Sequence, residues 1–456
     1  MDYKGIQMNK FLIVILLICF TIFTKSVMAS EYLNTILQPE QVSEDLEQWL
    51  DFLDKTHPEL SYTVANVDTF YADVEKLKTS VTQPISVREL WQKVSAFNSV
   101  LNDGHTLINL PKLKTLTNQY INSGGGIFPF EVVFNNNKLI IKSEINGKPS
   151  LLRGNEITEI NGKNVKDFLA PLLERTNGDS VRFRQALLQR RLAEYIWLYY
   201  GEIDSFTLQM NKYGQHQTKT FAASHEVFNL DDLFDEQFKF EILDSESALL
   251  TLNTFYWGAE YKDVIAFLHE SFATLSQANI QHLIIDVREN GGGDDAIWID
   301  GILPYIADKR WRTGSNNKFK VLEGRANKGR QVGDIIESEN SFKDIDLSIE
   351  KFKGEVSVLI SDYTYSSSIL FANVIQDHQF GKLVGEITGG KSGQTGGTQA
   401  INLKHSNLLA ISPFFYLGRP RGGDNHQPIT PDVVINYDKT IPEQLVNKLL
   451  HQRNAH

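Results

Sequence analysis

The first third of the chain has the hydrophobic pattern of packed helices. Between residues 31 and 115, apolar residues recur at spacings of three and four, which places them on one helical face. Two stripes show this best: Val42, Leu46, Leu50 and Leu53, and then Leu90, Val94, Phe97 and Leu101. Pro84 interrupts the region once. The pattern predicts a mostly helical region in which the stripes form a helix-packing core.

Residues 122–222 change to short runs that are typical of β-strands. Three consecutive glycines, Gly124 to Gly126, come first. The strand-like runs that follow are Phe128–Phe134 and Lys138–Ser143. Asn161-Gly162 is a dipeptide that favours a tight hairpin turn, and a helix is predicted from about Val165 to Leu173. This part of the chain is therefore predicted to be a small sheet with a helix.

Residues 235–440 alternate apolar runs with helical stretches. The apolar runs are Leu249–Phe255, His282–Val287, Val356–Ser361 and Lys382–Gly385. The helical stretches lie near 260–278, 295–308 and 367–378. Such alternation predicts an α/β layer architecture. Functional residues in these folds usually lie at the carboxyl ends of the strands.

The N-terminus reads as a secretory signal peptide. A short positive stretch at Met8–Lys10 precedes an apolar run, Phe11–Phe23, and the small-residue site Val27-Met28-Ala29 follows. The run is short for a membrane span, although an uncleaved anchor is the alternative. Residues 1–29 are therefore predicted to be a signal peptide, and the mature protein is expected in the periplasm or outside the cell.

Composition removes several classes of function. The chain has 456 residues, enough for two or three domains, and a net charge of -11, which argues against a broad nucleic-acid surface. The single cysteine, Cys19, falls in the predicted signal peptide, so neither an intrachain disulfide nor a thiolate metal cluster is expected. The 11 histidines include no His-Glu-x-x-His pair, and neither a metal nor a cofactor is predicted.

One motif points misleadingly to nucleotides. Gly385 to Ser392 satisfies the phosphate-loop pattern Gly-four-Gly-Lys-Ser. That pattern binds phosphate only where a helix follows, because the helix N-terminus holds the anion. Here Gly393 to Thr398 follow, which is a poor helix start. Nucleotide binding is therefore not predicted.

Two strand-to-helix turns carry the candidate chemistry. The run Asp286–Gly293 ends in three glycines, whose amides can approach a ligand closely or can simply make a turn. The run Tyr363–Ile375 enters an apolar helix at Ser366, where a hydroxyl can cap the helix or act as a nucleophile. A helix N-terminus there would stabilise a developing oxyanion. Each turn taken alone also has a purely structural explanation.

Two family resemblances join these features. The stretch Leu152–Val165 resembles the peptide-binding PDZ module, in which Gly154, Ile157, Ile160, Asn161, Gly162 and Val165 match and Asn155 replaces the usual Asp. The order of motifs along the chain resembles the tail-specific, or C-terminal processing, serine peptidases. The motifs are Asp103-Gly104-His105-Thr106, Asp286–Gly293, Ser366–Ser368, Gly385–Lys391 and Pro431-Asp432.

The resemblance implies a multidomain α+β fold. Its expected parts are a signal peptide (1–29), a helical N-terminal domain (30–120), a PDZ-like module (121–225) and an α/β, ClpP/crotonase-like, peptidase core (226–456). A subdomain of purely structural role at 121–225 is the alternative, because Asn-Gly hairpins occur in many β proteins.

The resemblance also implies residue roles. Ser366 falls on the nucleophile, Lys391 on the general base of the Ser/Lys members, and Asp377 on its acidic helper. The amides of Gly292 and Ser367 would form the oxyanion hole, and no cofactor is needed. A lysine can serve as base only if burial lowers its pKa.

Two departures leave the assignment open. Gly104 stands where the Ser/Lys members usually have Pro, and this glycine form looks like the tricorn-type branch, in which a histidine is the base. His105 would then activate Ser366, with Asp424 or Glu386 orienting it. Ile369 stands where many members have Glu.

The predicted function is a secreted serine endopeptidase that acts on unfolded or C-terminal-tail peptides, with Lys391 or His105 as base. A catalytically silent peptide-binding or ligand-binding protein on the same scaffold is the first alternative. The retention of Ser366, Lys391 and His105 argues only mildly against it, because the departure at Ile369 hints at drift. A hydrolase of non-peptide esters that uses the same serine is the second. The expected partners are unfolded proteins or peptides, without nucleic acid and without a membrane span after signal cleavage.

Overall fold

The computed structural model describes residue 29 and residues 31–230, 232–326 and 329–454. The predicted signal peptide, with Cys19, lies outside this part of the chain apart from Ala29. Among the helices of the described part, none is long and apolar enough to cross a membrane.

The N-terminal region is helical, as its stripes predict. Its elements are β1 (Ile36–Leu37), α1 (Pro39–Thr56), α2 (Val67–Ser80), β2 (Ile85–Ser86), α3 (Val87–Val94), α4 (Phe97–Leu101), β3 (Leu107–Asn109) and α5 (Leu113–Asn122). Val42, Leu46 and Leu53 are buried on α1, and Leu50 packs against them from the edge. Burial of one apolar face stabilises these helices more than their intrinsic propensity does.

The next region is an antiparallel sheet with three helices. Its elements are β4 (Phe130–Asn135), β5 (Lys138–Glu144), β6 (Glu156–Ile160), β7 (Lys163–Asn164), α6 (Val165–Arg175), α7 (Val181–Leu188), α8 (Leu192–Tyr200), β8 (Ser205–Lys212) and β9 (Gln215–Ala222). The strand order is β4-β5-β6-β8-β9, with β7 paired to β6. Asn161 and Gly162 both have positive φ, +50° and +75°, as a tight Asn-Gly hairpin turn requires.

These two regions share one hydrophobic core rather than two. A single cluster of buried side chains runs from Leu33 to Ala223 and takes in residues near 403–410 as well. Phe183 and Ala186 of α7 are exceptions, because they belong to the core of the following α/β region. Helix α7 therefore links the sheet region to the rest of the molecule.

The C-terminal half is built on a six-stranded sheet of order β10-β11-β12-β15-β16-β21. These strands are β10 (Phe238–Ile242), β11 (Ser247–Leu252), β12 (His282–Asp286), β15 (Glu355–Ile360), β16 (Lys382–Gly385) and β21 (Val433–Val434). The edge strand β10 is antiparallel, and the remaining pairs are parallel. The helices are α9 (Phe234–Gln237), α10 (Tyr261–Gln277), α11 (Asp295–Gly301), α12 (Leu303–Ile306), α13 (Ser367–His378) and α14 (Glu443–Asn454).

Besides the short β1-β2 pair, the described residues form two further small sheets, which the apolar runs do not predict. One has the order β14-β13-β20-β17 and comprises β13 (Asn316–Lys320), β14 (Ile335–Glu339), β17 (Gln394–Gly396) and β20 (Phe415–Leu417). The other has the order β18-β19-β3, with β18 (Gln399–Asn402) and β19 (Leu409–Ser412). In the second sheet Leu107 pairs with Ile411, which brings the segment around His105 to the C-terminal half.

Candidate active site

Ser366 lies at the turn between β15 and α13, at the carboxyl end of a central parallel strand. Its backbone has φ 54° and ψ -124°, a conformation that a residue with a Cβ rarely adopts. Such strain costs of order 1–3 kcal/mol and is found mainly at functional sites. The turn projects Ser366 from the N-terminus of a 12-residue helix.

His105 is the imidazole beside this serine. Its Nε2 lies 2.9 Å from Ser366 Oγ, although 261 residues separate the two along the chain. The His105 ring also packs against Tyr365, with centroids 5.0 Å apart. A hydroxyl and an imidazole nitrogen at this distance are within reach for direct proton transfer.

The hydrogen bond at Nδ1 of His105 determines the tautomer of the imidazole. Nδ1 lies 3.1 Å from Thr395 Oγ1, and the Thr395 hydroxyl donates to Asp103 Oδ1 over 2.8 Å. Because a hydroxyl has one proton to donate, Thr395 accepts from Nδ1–H of His105. Nε2 is then left as an acceptor for the hydroxyl of Ser366, which is the tautomer that a general base needs.

Asp103 ends this chain of hydrogen bonds as a buried carboxylate. Besides Thr395, it accepts from the His105 amide (3.1 Å) and the Thr106 hydroxyl (2.6 Å). Burial raises the pKa of Asp103, but the nearby imidazoles of His57 and His105 outweigh it, so that its pKa lies well below its usual value. The His57 Nε2 atom lies 3.8 Å from Asp103 Oδ2, too far for a hydrogen bond.

Lys391 is buried, but the structure directs its amine elsewhere. Its Nζ donates to the Asn102 carbonyl over 3.2 Å and lies 5.4 Å from the centre of the Tyr62 ring. The Ser366 hydroxyl instead has its hydrogen bond with His105. Of the two bases that the sequence left open, the structure brings only His105 to the serine.

Asp377 likewise does not join the site. It lies near the end of α13, where its carboxylate pairs with Arg419 at 2.5 Å and with Arg421 at 3.5 Å. The predicted pairing with Lys391 is therefore replaced by a structural ion pair.

The two acids that the sequence offers as partners of His105 also bind other residues. Glu386 pairs with Lys439 at 2.8 Å, and Asp424 accepts from the His426 amide at 2.9 Å.

The two predicted oxyanion donors, the amides of Gly292 and Ser367, lie beside Ser366 and differ in whether they already have a hydrogen-bond partner. The amide of Ser367 opens α13, and no partner for it occurs among the residues that the structure describes. The amide of Gly292 donates to Asn290 Oδ1 over 2.9 Å. Gly292 has φ +108°, and a Cβ there would lie 2.6 Å from Ser366 Cβ. Only a glycine therefore allows this close approach.

A large cavity opens at the pair. Its volume is about 1400 Å³, and His105, Tyr365 and Ser366 line it together with residues 130–133 of strand β4. The space is large enough for several residues of an extended peptide. Polar and apolar side chains both contribute to its wall.

The sequence does not predict the contacts of His105 with Thr395 or of Thr395 with Asp103. Asp103 stands in the motif Asp103-Gly104-His105-Thr106, two residues before His105, so that spacing suggests it. Thr395 has no such signal, because the run Gly393–Thr398 predicts only a poor helix start. It lies instead on the short strand β17.

Comparison with known proteins agrees with the mixed α/β fold. Residues 246–435 match Peptidase family S41. The Nisin-resistance protein of Lactococcus lactis subsp. lactis is 27% identical over 201 residues, 43% of this chain and 59% of that protein. The Tail-specific protease of Haemophilus influenzae is 26% identical over 151 residues, 32% of this chain and 17% of that protein. The chain thus spans less than two thirds of either curated relative.

A solved structure extends the likeness in fold over nearly the whole chain. The crystal structure of mature CPAF superposes with a TM-score of 0.64 at 14% identity, and the match covers 91% of this chain and 97% of that one. This match shows a mixed α/β fold. The likeness to peptidase family S41 is carried by residues 246–435, less than half of the 456 residues. His105 lies outside the matched residues, so the serine and the imidazole come from different parts of the chain.

Proposed function

We propose that the chain is a secreted serine endopeptidase that cleaves unfolded or C-terminal-tail peptides, with Ser366 as nucleophile and His105 as general base. The observation that carries the proposal is the 2.9 Å contact between His105 Nε2 and Ser366 Oγ. A serine hydroxyl is unreactive alone and needs such a base. The name of the tail-specific relative supports the substrate class.

In the first step Ser366 Oγ attacks the peptide carbonyl carbon while His105 Nε2 takes the hydroxyl proton. The carbonyl π bond opens and its oxygen becomes an oxyanion. His105, now an imidazolium, keeps donating from Nδ1 to Thr395, and the ionised Asp103 stabilises the positive charge through that hydroxyl. His105 then returns the proton to the leaving amine as the C–N bond breaks. Water, activated by the same imidazole, releases the acyl group from Ser366.

The amide of Ser367 is the first proposed oxyanion donor, because it begins α13 and the helix dipole favours a negative charge there. Gly292 is the second, and its amide would have to leave Asn290 Oδ1 when the oxyanion forms. Each such donor contributes about 3 kcal/mol to the transition state in comparable sites.

We propose that residues 121–225 act as a PDZ-like module that receives the substrate by strand addition. Strand β4 is at the edge of its sheet, follows the glycines Gly124–Gly126, and lines the cavity that contains Ser366. A peptide paired with β4 would therefore lie in the same space as the nucleophile. We also propose that residues 226–456 form a ClpP/crotonase-like peptidase core.

Secretion remains a proposal that rests on the pattern of residues 8–29. The mature chain would work in the periplasm or outside the cell, where an enzyme without a free thiol avoids unwanted oxidation. Mass spectrometry of the exported protein would test this, since cleavage after Ala29 gives a new N-terminus at Ser30.

The activity is tested by incubating the mature chain with a library of unfolded peptides and reading the products by mass spectrometry. Ser366→Ala should abolish cleavage while peptide binding persists. Ser276→Ala, at an exposed serine of α10, is the matched control and should cleave as the parent does. Cleavage by Ser366→Ala would refute the assigned nucleophile. Binding without cleavage by the parent would favour the silent binding protein.

A further inference from the structure

One buried carboxylate connects the segments that carry the catalytic groups. Asp179 lies in the short turn between α6 and α7, and only 7% of the residue is exposed. It is outside the matched family domain and is not part of the proton-transfer chain. A carboxylate in such a place is costly unless donors surround it.

Asp179 has three donors, and each belongs to a different segment of the site. Oδ1 accepts from the Gly104 amide over 2.8 Å and from the Tyr365 hydroxyl over 2.7 Å. Oδ2 accepts from the Lys391 amide over 2.9 Å. Gly104 precedes His105, Tyr365 precedes Ser366, and Lys391 is four residues before Thr395.

The donors are also joined to one another. The Gly104 amide lies 3.1 Å from the Tyr365 hydroxyl, so the base segment and the nucleophile segment share a second hydrogen bond. A Cβ at Gly104 would lie 2.5 Å from the Tyr365 ring. The glycine is therefore required twice, for its N–H and for the close approach, and a proline at 104 would lose both bonds.

The turn itself is held firmly. Ser180 caps α7 by accepting from the Phe183 amide, and its hydroxyl donates to the Gly389 carbonyl over 2.6 Å. Phe183 stacks on Tyr365 with ring centroids 4.0 Å apart. The Asp179 carboxylate is thus presented from a rigid segment that packs into the α/β core.

The surroundings of Asp179 raise the pKa of its carboxyl overall. Burial and the charge of Asp103 raise the pKa of Asp179, whereas the charge of Lys391 lowers it. The ammonium group of Lys391 therefore stabilises the ionised form of Asp179, a role for which Lys391 does not have to act as a base. Hydrogen bonds to a charged acceptor are also stronger and shorter than neutral ones.

We propose that Asp179 is a positioning residue, which holds the segments of His105 and Ser366 in the register that their hydrogen bond needs. The inference rests on the proposed peptidase function, because the register matters for proton transfer. Displacing reacting groups by about 1 Å can cost 10²-fold in rate, so the contribution of Asp179 should appear in kcat. Substrate affinity should not change, since the side chain does not line the cavity.

The test is the kinetics of Asp179→Asn, which keeps Oδ1 as an acceptor but replaces Oδ2 by a donor that meets the Lys391 amide. We expect kcat to fall by about 10²-fold with KM within about twofold of the parent. Asp179→Glu, which restores the charge, should recover part of the loss. Ser86→Ala, which removes the side-chain cap of α3, is the matched control: it should lower the urea midpoint through the lost cap and leave kcat unchanged. An unchanged kcat in Asp179→Asn would overturn the proposal.

A second measurement separates this proposal from the peptidase function. The ring protons of His105 lie near the Tyr365 ring and should show its ring-current shift by NMR. Asp179→Asn should move these resonances, and Ser86→Ala should not. If the parent cleaves nothing, the proposed function fails while the NMR comparison still decides the positioning role. His105 resonances that are identical in Asp179→Asn and the parent would refute it.

Discussion

Thr395 stands between His105 and the carboxylate of Asp103: its hydroxyl lies 3.1 Å from Nδ1 of the imidazole and donates onward over 2.8 Å. The carboxylate of a Ser-His-Asp triad contacts the imidazole directly, whereas here a hydroxyl transmits the orientation. Because the Thr395 proton is committed to Asp103, the imidazole must present Nε2 as acceptor to Ser366. The tautomer of His105 with its proton on Nδ1 therefore depends on the hydroxyl of Thr395.

Replacing Thr395 by valine should reduce kcat by about 10²-fold or more, because Nδ1–H of His105 loses its acceptor and its tautomer is no longer fixed. Valine keeps the size and branching of the side chain, so the fold should be retained. The rate of peptide cleavage under saturating substrate is the measurement.

Thr395→Ser is the matched control for that substitution. It keeps the hydroxyl and removes only a methyl group, so kcat should stay within about tenfold of the parent. If the valine variant were as active as the serine variant, the hydroxyl would have no part in orienting His105.

Much of the core could be predicted from the sequence, because fully buried parallel strands are continuous apolar runs. The run predicted at His282–Val287 is the strand His282–Asp286, and the helical stretch near 367–378 is the helix Ser367–His378. The sheet that contains β3 and β19 could not be predicted in this way. Its strands are short, and Leu107 pairs with a residue about 300 positions away, which leaves no local periodicity.

The same reason limited the prediction of the site. Ser366 is marked by its strand-to-helix turn, which is a local pattern. The choice between His105 and Lys391 depends on which side chain points to the serine, and spacing along the chain does not determine that. Thr395 and Asp179 come together with His105 only after distant segments pack.

Lys391→Arg tests the base directly. An arginine keeps the cation beside Asp179 but does not give up its proton in proteins, so it cannot act as a general base. We expect the variant to keep at least about a tenth of the parent kcat, whereas His105→Gln should lose about 10³-fold. Measurement of both rates on one peptide decides the matter, and the opposite ranking would restore lysine as the base.

Gly292→Ala should disable the oxyanion site without unfolding the protein. The added Cβ would lie 2.6 Å from Ser366 Cβ and 3.0 Å from the Ser367 amide, and the backbone φ of +108° disfavours any side chain. Loss of one donor typically costs 10² to 10³ in kcat, so a drop of about that size is expected with circular dichroism unchanged.

Gly214→Ala controls for backbone strain in that experiment. Gly214 has φ +82° at the tip of the β8–β9 hairpin, and a Cβ there meets nothing within 4 Å. The substitution should cost about 1–2 kcal/mol of stability and leave kcat unaltered. Full activity in Gly292→Ala would show that its amide does not hold the oxyanion.

We expect the free energy of unfolding to fall with rising pH because of the buried carboxyl of Glu194. The residue is only 5% exposed, and burial raises the pKa of its carboxyl to about 7, although Arg191, its own amide and Lys114 oppose the shift. Because the folded pKa is the higher one, the stability is fully present below the unfolded pKa near 4.3 and is lost as pH rises to about 7.

Glu194→Gln removes this titration. The variant should gain roughly 3 kcal/mol in free energy of unfolding relative to the parent at pH 8, because folding raises the pKa of Glu194 from near 4.3 to about 7, and much less at pH 4.5. Urea unfolding at the two pH values measures the difference. Glu270→Gln, at an exposed position on α10, should change neither value, so a gain in both variants would reflect the general loss of negative charge. A gain in Glu194→Gln that is equal at pH 4.5 and pH 8 would exclude the buried carboxyl as its source.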